Sequence, residues 1–277
     1  MQTTITGGHI SSYNSHGIVG ISGSEVAEYD IVRVVDAAKA IIIPNDQKIL
    51  HIIPQEYIID GRGGIQSPIS MSGVRLEARI HIITASINMV QNLTKCIRQS
   101  GLDLTEIMLS SYADSNAILD ADQKELGVAL VNIGAGTTDI SVFKNGALTY
   151  STVVPVAGNH ISQDLAVAFQ LPMSSADNLK VQFSDLTSSA EESIVTENNV
   201  TIDQTKFNNV ISSRIDEIFA LIQQELVNND LLEGLDAGIV ISGGTAKIKG
   251  IIDYANNYYN LPVRLGNFDN LSEDFTF

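Results

Sequence analysis

A glycine-rich turn between two apolar stretches is the first segment whose residue types suit ligand binding. Gly134-Ala135-Gly136-Thr137 follows an apolar run that ends at Ile133, and a second extended run begins at Thr138. Glycine lets the backbone bend tightly and approach a ligand closely, and exposed N–H groups in such a turn can surround phosphate oxygens. The Thr137 and Thr138 hydroxyls add donors. The turn also fits a plain β-hairpin without a ligand, and it lacks the lysine of a P-loop.

A second glycine pair has similar potential. The apolar stretch Gly238–Ser242 ends in Gly243-Gly244-Thr245, and a helical pattern follows. Bare backbone at such a pair can lie against a nucleoside, and the N-terminus of a helix favours nearby phosphate. The same residues also fit a tight strand-to-helix turn without a ligand.

Periodicity predicts a small α+β unit in the first part of the chain, which we divide at about residues 103 and 126. Val74–Ile83 alternates apolar and polar residues, which predicts a strand with one solvated face and places His81 on that face. Lys48–Ile59 is also predicted to be extended, with an edge or a bulge at Pro54.

Two helices are predicted to accompany these strands. One begins after Ser86, a suitable N-cap, and ends at Gly101, a suitable C′ residue. The other has apolar residues at helical spacing, namely Ile31, Val34, Val35 and Ala38.

The remaining sequence predicts strands that alternate with helices. Ser184–Thr201 is polar and is predicted to be a surface loop. Asn-Gly at residues 145–146 indicates a hairpin. The predicted strands are Glu106–Ser110, Gly127–Ile133, Thr138–Phe143, Ala147–Val154, Ala237–Ser242 and Pro262–Leu265, and the predicted helices are Ala113–Leu119, Gly158–Phe169, Ser174–Val181, Asp203–Asn228 and Ile248–Tyr259.

Composition excludes several classes of function. The 277 residues include 16 basic and 32 acidic side chains, giving a net charge of -16. No Lys or Arg cluster is present, so we expect no binding to nucleic acid and no membrane contact by this chain itself. Cys96 is the single cysteine, which excludes an internal disulfide. Without a signal-peptide pattern or a long apolar run, the chain is expected to be soluble and cytoplasmic.

The two glycine-rich segments, in this order and separated by a helical region, resemble the phosphate-2 and adenosine motifs of the actin, sugar-kinase and DnaK-type chaperone superfamily. More narrowly, Ile52–Asp60, Met71–Arg75 and Ala157–Asn159 resemble FtsA, the actin-like cell-division family. The segments Gly127–Asp139 and Ala237–Gly250 fit that family as well. The likeness extends over almost the whole chain.

The resemblance implies an α/β fold, namely an actin-like (ribonuclease-H-like) domain with an inserted α+β subdomain 1C. It assigns 1–103 to subdomain 1C and 104–125 to a fragment of subdomain 1A. It assigns 126–277 to domain 2, in which 2B is inserted into 2A at about 171–234. The family's phosphate-1 part and membrane-targeting helix are not found, so we expect a fragment.

The resemblance also implies nucleotide-binding residues. Family members usually place Asp where this chain has Asn132, and that Asp helps to hold Mg²⁺ through water. Asparagine is neutral and attracts a hard cation less than a carboxylate does. The other positions implied to bind ATP are Gly134, Ala135, Gly136, Thr137, Thr138, Gly158, Asn159, Gly243, Gly244 and Thr245.

Charged side chains complete the implied sites. Asp177 and Lys180 match an acid and a lysine that flank ribose and adenine in the family, although an i,i+3 pair on a helix is often only a solvated contact. Arg214, with Asp216 and Glu217, matches a surface that meets the C-terminal tail of FtsZ. The alternative is an exposed arginine with nearby acids.

The resemblance implies a cell-division adaptor that binds ATP with Mg²⁺, polymerises and links FtsZ filaments to the inner membrane. Other divisome proteins are expected to bind through subdomain 1C, and the full-length protein is expected at the cytoplasmic face of the inner membrane at the division site. No catalytic base and no protein-ligated metal are assigned, so at most a weak ATPase is expected. A phosphotransferase and a pseudo-ATPase scaffold of the same superfamily remain alternatives.

Overall fold

A computed structural model describes residues 1–187, 193–195 and 201–267. The described residues form two compact units. The first contains Met1–Val128 and Ser141–Val153, and the second contains Ala129–Ile140 and 154–267.

The first unit is α+β. Its strands are β1 (Gln2–Ile5), β2 (Ile10–Gly20), β3 (Gln47–Ile59), β4 (Arg62–Ile65), β5 (Arg75–Ser86), β6 (Glu106–Leu109) and, shared with the second unit, parts of β7 (Val128–Ile133), β8 (Thr138–Lys144) and β9 (Ala147–Val154). Its helices are α1 (Glu28–Ala38), α2 (Ile87–Gln99), α3 (Ser110–Ile118) and α4 (Ala121–Leu126).

An antiparallel sheet of order β2-β5-β3-β4 dominates this unit, while β1 pairs in parallel with β6. The predicted alternation of β5 is confirmed on its apolar face, where Leu76, Ala78, Ile80 and Ile82 are fully buried against α1. A side chain at Gly17 of β2 would lie 2.3 Å from the Val34 carbonyl oxygen, so glycine permits this close helix–strand contact. The predicted bulge near Pro54 is confirmed by a register shift between Pro54 and Glu56.

The polar face of β5 is exposed at Arg75 and Arg79 but buried at His81, so the prediction of a solvated His81 is wrong. Only 1% of His81 is exposed. Its Nδ1 lies 2.7 Å from Asn14 Oδ1, and its Nε2 lies 2.9 Å from Ser151 Oγ of β9. Strand β9 covers this face, and its Leu148 carbonyl accepts a hydrogen bond from Gln55 Nε2 at 3.2 Å. Tertiary packing therefore overrides the strand alternation at His81.

The second unit contains the remaining elements. They are the helices α5 (Gly158–Phe169), α6 (Met173–Phe183), α7 (Gln204–Asn228) and α8 (Ile251–Tyr259), and the strands β10 (Ser193–Val195), β11 (Thr201–Asp203), β12 (Ile239–Ser242) and β13 (Val263–Leu265).

Its sheet has the order β13-β12-β7-β8, with β12 parallel to both β13 and β7. Val128–Val131 and Ile239–Ile241 are buried, as expected for strands covered on both faces. Because β7 and β12 are parallel, the two glycine-rich turns leave the sheet at the same edge, which is where open α/β sheets bind ligands.

The prediction of a surface loop at Ser184–Thr201 is wrong for Ser193–Val195 and Thr201, which belong to strands. β10 pairs antiparallel with β11, and Ile194 and Ile202 are buried. Residues 188–192 and 196–200 of that prediction lie outside the described residues. The predicted Asn-Gly hairpin between β8 and β9 is confirmed, with φ of 52° at Asn145 and 77° at Gly146.

Candidate functional site

A cavity of about 390 Å³ lies in the second unit, at the carboxyl ends of β7 and β12. Its wall comes from the turn after β7, the start of α5, one face of α6 and the segment after β12. The lining residues are Gly134, Ala135, Gly158, Asn159, Asp177, Lys180, Val181, Ser184, Gly244, Thr245, Lys247 and Ile248.

The turn after β7 is closed by a hydrogen bond from Gly134 N to the Thr137 carbonyl at 2.9 Å. Two amides at the start of α5 donate to this turn, Gly158 N to Gly134 O at 3.1 Å and Asn159 N to Ala135 O at 2.7 Å. These bonds hold the positive end of the α5 dipole beside the cavity, where it favours an anion.

The turn after β12 contacts the same carbonyl. Thr245 Oγ1 donates to Gly134 O at 2.9 Å. A Cβ at Gly158 would lie 2.5 Å from Thr245 Oγ1, and one at Gly243, where φ is 94°, would lie 2.4 Å from the Ile133 carbonyl oxygen. Gly158 and Gly243 are therefore needed for close packing of the two turns. Gly244 lines the cavity and has open space at its Cβ position.

Helix α6 supplies charged side chains to the wall. Lys180 Nζ donates to Asp177 Oδ1 and to Ser162 Oγ, both at 2.7 Å, and to Gly158 O at 3.1 Å. Ser162 Oγ donates in turn to Asp177 Oδ1 at 2.7 Å. The hydrogen bonds from Lys180 and then from Ser162 hold the pKa of Asp177 below its usual value. Asp177 is therefore ionised at neutral pH.

The structure brings together only part of the predicted nucleotide set. Asn132, Gly136, Thr137, Thr138 and Gly243 are not among the residues that line the cavity. Thr138 is fully buried, and its hydroxyl donates to the Val156 carbonyl at 2.7 Å. Asn132 lies at the end of β7, opposite Ser242 of β12.

Sequence reasoning missed four lining residues and Ser162, which bonds to the lining pair Asp177 and Lys180. Val181 lies four residues after Asp177 on α6, and Ser184, the C-cap of α6, lies four residues after Lys180, so helical spacing was the available signal. Lys247 and Ile248 lie after the predicted turn, from which Ala246 separates them. Ser162 had no such signal because the lining residues to which it bonds at 2.7 Å, Asp177 and Lys180, lie on another helix.

Arg214 of α7 lies in a separate depression of about 370 Å³. Its Nε and Nη2 donate to Asp164 Oδ2 and Oδ1 at 2.6 Å and 2.9 Å, and its Nη1 donates to Glu217 at 2.6 Å. The hydrogen bonds that Arg214 donates to Asp164 are the first of several causes that raise the pKa of Arg214. Asp216 instead accepts a hydrogen bond from Tyr254 at 2.7 Å and is not part of this depression.

No group of three or more His, Cys, Asp or Glu side chains with metal-binding geometry occurs in the described residues. In the same residues, no helix has the length and apolar character needed to cross a membrane.

Two family models match the chain. One is described as the SHS2 domain inserted in FtsA and matches residues 7–84, and the other is described as cell division protein FtsA and matches residues 129–275. The subdomain boundaries predicted above remain predictions.

Curated relatives agree with the family models. Cell division protein FtsA of Pseudomonas aeruginosa is 41% identical over 270 residues, and that of Neisseria meningitidis is 41% identical over 273 residues. Each comparison covers 95% of this chain, which spans 65% and 66% of the two relatives' lengths. The Escherichia coli protein is 35% identical over 277 residues.

Solved structures confirm the predicted fold class. A chain of the PilM–PilN type IV pilus biogenesis complex has a TM-score of 0.69 at 13% identity, covering 96% of this chain and 69% of that chain. MreB5 of Spiroplasma citri bound to ADP has a TM-score of 0.57 at 21% identity, and the match covers 66% of this chain and 62% of the MreB5 chain. The fold is thus an actin-like α/β fold with an SHS2 insertion, and the chain belongs to the FtsA family of cell division proteins.

Proposed function

We propose that the cavity between α5, α6 and the two glycine-rich turns binds ATP, and that the chain acts as part of a cell-division adaptor of the FtsA type. The observation that carries this proposal is the meeting of both turns at the Gly134 carbonyl, beside the start of α5 and the Asp177–Lys180 pair. A volume of about 390 Å³ lies within the range of small-molecule sites.

The lining residues fit the parts of a nucleotide. Gly134 and Ala135, with the start of α5, suit the phosphates because a helix N-terminus attracts negative charge. Val181, which is 77% exposed, and Ile248 offer apolar surface to a base beside the bare backbone of Gly244. The MreB5 structure, which has a similar fold, is described as bound to ADP, and this supports nucleotide binding by the present chain.

Mg²⁺ is proposed to enter with ATP and to neutralise charge on its phosphates. Asn132, at the carboxyl end of β7, is neutral, so it cannot replace the carboxylate expected there. The nucleotide phosphates would therefore supply most of the attraction for the ion, and Asn132 would contribute less than a carboxylate.

ATP turnover is proposed to be weak at most. Among the described residues that line the cavity, Asp177 is the one with a carboxylate, and its lowered pKa makes it a poor proton acceptor. This favours ATP as a ligand that stabilises one conformation over the phosphotransferase alternative. A pseudo-ATPase scaffold differs from both because it would bind no nucleotide.

The remaining proposals concern partners of the whole protein. We propose that the Arg214 surface meets the C-terminal tail of FtsZ, that copies of the protein polymerise and that residues 1–103 form the subdomain 1C contacted by other divisome proteins. Residues 104–125 and 126–277 are proposed to belong to 1A and domain 2. Attachment to the inner membrane would belong to the full-length protein.

ATP binding is tested by calorimetric titration with Mg-ATP. Gly158→Ala is expected to weaken binding at least about tenfold, because its Cβ would push apart Thr245 and the Gly134 turn. Gly20→Ala is the matched control, because nothing lies within 4 Å of its Cβ position in the first unit. Absence of binding by the wild type, or equal binding by both variants, would reject the proposal.

The partner surface is tested with a labelled peptide of the FtsZ C-terminal tail. Arg214→Ala is expected to weaken peptide binding. Arg33→Ala is the control, because Arg33 also pairs with a carboxylate three residues away on its own helix. Equal affinities for the two variants would argue against this surface.

A further inference from the structure

The Lys180 ammonium has three N–H groups, and all of them have acceptors inside the protein. They donate to Gly158 O, Ser162 Oγ and Asp177 Oδ1. The side chain is 15% exposed, whereas that of its partner Asp177 is 52% exposed. A direct bond from Lys180 to a ligand would therefore require one of these bonds to break.

Ser162 joins the other members of this cluster. It is fully buried on α5, accepts from Lys180 and donates to Asp177 Oδ1. Both bonds to Asp177 end on Oδ1. Among the described residues these bonds leave Oδ2, on the exposed carboxylate, available to accept from a ligand hydroxyl.

The cluster also fixes the cavity wall. Lys180 reaches the Gly158 carbonyl, and Gly158 N donates to the turn at Gly134. A chain of hydrogen bonds therefore runs from Asp177 on α6, through Ser162 and Lys180, to the turn after β7. Loss of the Ser162 hydroxyl would remove an acceptor from Lys180 and a donor from Asp177 together.

We infer that Ser162 is a positioning residue for the nucleotide site, which aims Asp177 at a ribose hydroxyl and keeps Lys180 as an internal brace. This inference rests on the proposed ATP site. Ser162 does not touch the nucleotide. It acts by fixing the rotamer of Asp177 and the position of α6 relative to Gly158.

The test compares binding of ATP with binding of dideoxy-ATP, which lacks both ribose hydroxyls. A hydrogen bond to an ionised carboxylate should make the wild type prefer ATP by about tenfold or more. Ser162→Ala should reduce that preference to about threefold or less, and Ser162→Thr, which keeps the hydroxyl, should restore it. A general loss of stability would weaken both ligands equally and leave the ratio unchanged.

Two further variants separate positioning from folding. Ser162→Ala should have no additional effect on the ratio in an Asp177→Asn background, because the serine acts through that carboxylate. Ser115→Ala is the matched control, since Ser115 is also a fully buried helical serine whose hydroxyl bonds within its helix, to Tyr112 O at 2.7 Å. It should leave the ratio at the wild-type value.

A ligand-free readout is the nuclear magnetic resonance signal of the Lys180 ammonium in protein made with isotope-labelled lysine. Three internal bonds should slow proton exchange and give a resolved signal, which Ser162→Ala should abolish and Ser162→Thr should retain.

The outcomes separate the two proposals. If the wild type binds ATP but Ser162→Ala keeps both the nucleotide preference and the ammonium signal, the inference is overturned while the ATP site stands. If the wild type binds neither nucleotide, the proposed function and the inference both fail.

Discussion

Two polar clusters of this molecule use similar hydrogen bonds but differ in their access to solvent. In the first unit, His81 is 1% exposed, and its ring nitrogens contact the neutral side chains of Asn14 and Ser151. In the second unit, Ser162 is equally buried, yet its partner Asp177 is 52% exposed at the cavity. The closed cluster is suited to stabilising the fold, whereas the open cluster leaves a charged group exposed at the cavity.

Removal of the His81 ring should give the largest effect on stability. His81→Ala would leave a cavity and buried polar atoms of Asn14 and Ser151 without their partner, so the free energy of unfolding should fall by about 4 kcal/mol. Urea denaturation measures this change. ATP affinity should not change in the folded variant, and a stability loss below about 1 kcal/mol would show that the cluster is not closed.

Acid should lower the free energy of unfolding through His81 by an amount similar to that expected for His81→Ala. Burial lowers the pKa of His81 from 6.5 to about 4, so the unfolded chain binds the proton more readily than the folded chain does. The stabilisation is fully present above pH 6.5 and should decline as pH falls towards 4, by about 3 kcal/mol in total.

The contribution of His81 is isolated by comparing the wild type with His81→Gln, because carboxylates such as Asp30, whose pKa is lowered, also lose stability in acid. The difference in unfolding free energy between the two proteins should shrink between pH 6.5 and pH 4. A constant difference would mean that the pKa of His81 is the same in the folded and the unfolded protein.

Loss of the Ser162 hydroxyl should affect stability less. Water can reach Asp177 and replace part of the lost bonding, so Ser162→Ala should lower the free energy of unfolding by about 1 kcal/mol. The same urea titration measures it. A loss as large as that of His81→Ala would erase the distinction between the closed and open clusters.

An exposed ion pair should contribute less to the free energy of unfolding than either cluster, and it serves as a reference for both. Lys39 and Asp36 are 2.8 Å apart, but their side chains are 37% and 60% exposed. Lys39→Ala should change the free energy of unfolding by less than about 0.5 kcal/mol, because water and salt screen such pairs. A larger loss in a thermal melt would show that exposure is a poor guide to these energies.

Sequence patterns predicted the elements that local rules determine. Apolar runs and glycines predicted β7, β12 and the turns after them. Ser86 and Gly101 correctly marked the two ends of α2, and φ at Gly101 is 78°. Strand β2 was missed because its Ser, Tyr, Asn and Gly residues show no clean alternation, and it is held by pairing with β5.

Sequence patterns could not place side chains that depend on distant partners. Strand alternation put His81 in solvent, although β9 covers it. The family resemblance implied Asp177 and Lys180, which lie 2.7 Å apart in the structure, but it carried no information about Ser162. The sequence likewise pointed to Arg214 but not to its partner Asp164, which lies 50 residues away on α5.

The central claim is that the cavity of the second unit binds ATP. Mapping of backbone amide signals during titration with Mg-ATP tests it most directly, because the amides report location as well as affinity. We predict saturable shifts at Ala135, Asn159, Gly244 and Thr245, and none at Gly20 or Gly61 of the first unit. Shifts confined to the first unit, or no shifts at saturating nucleotide, would contradict the claim.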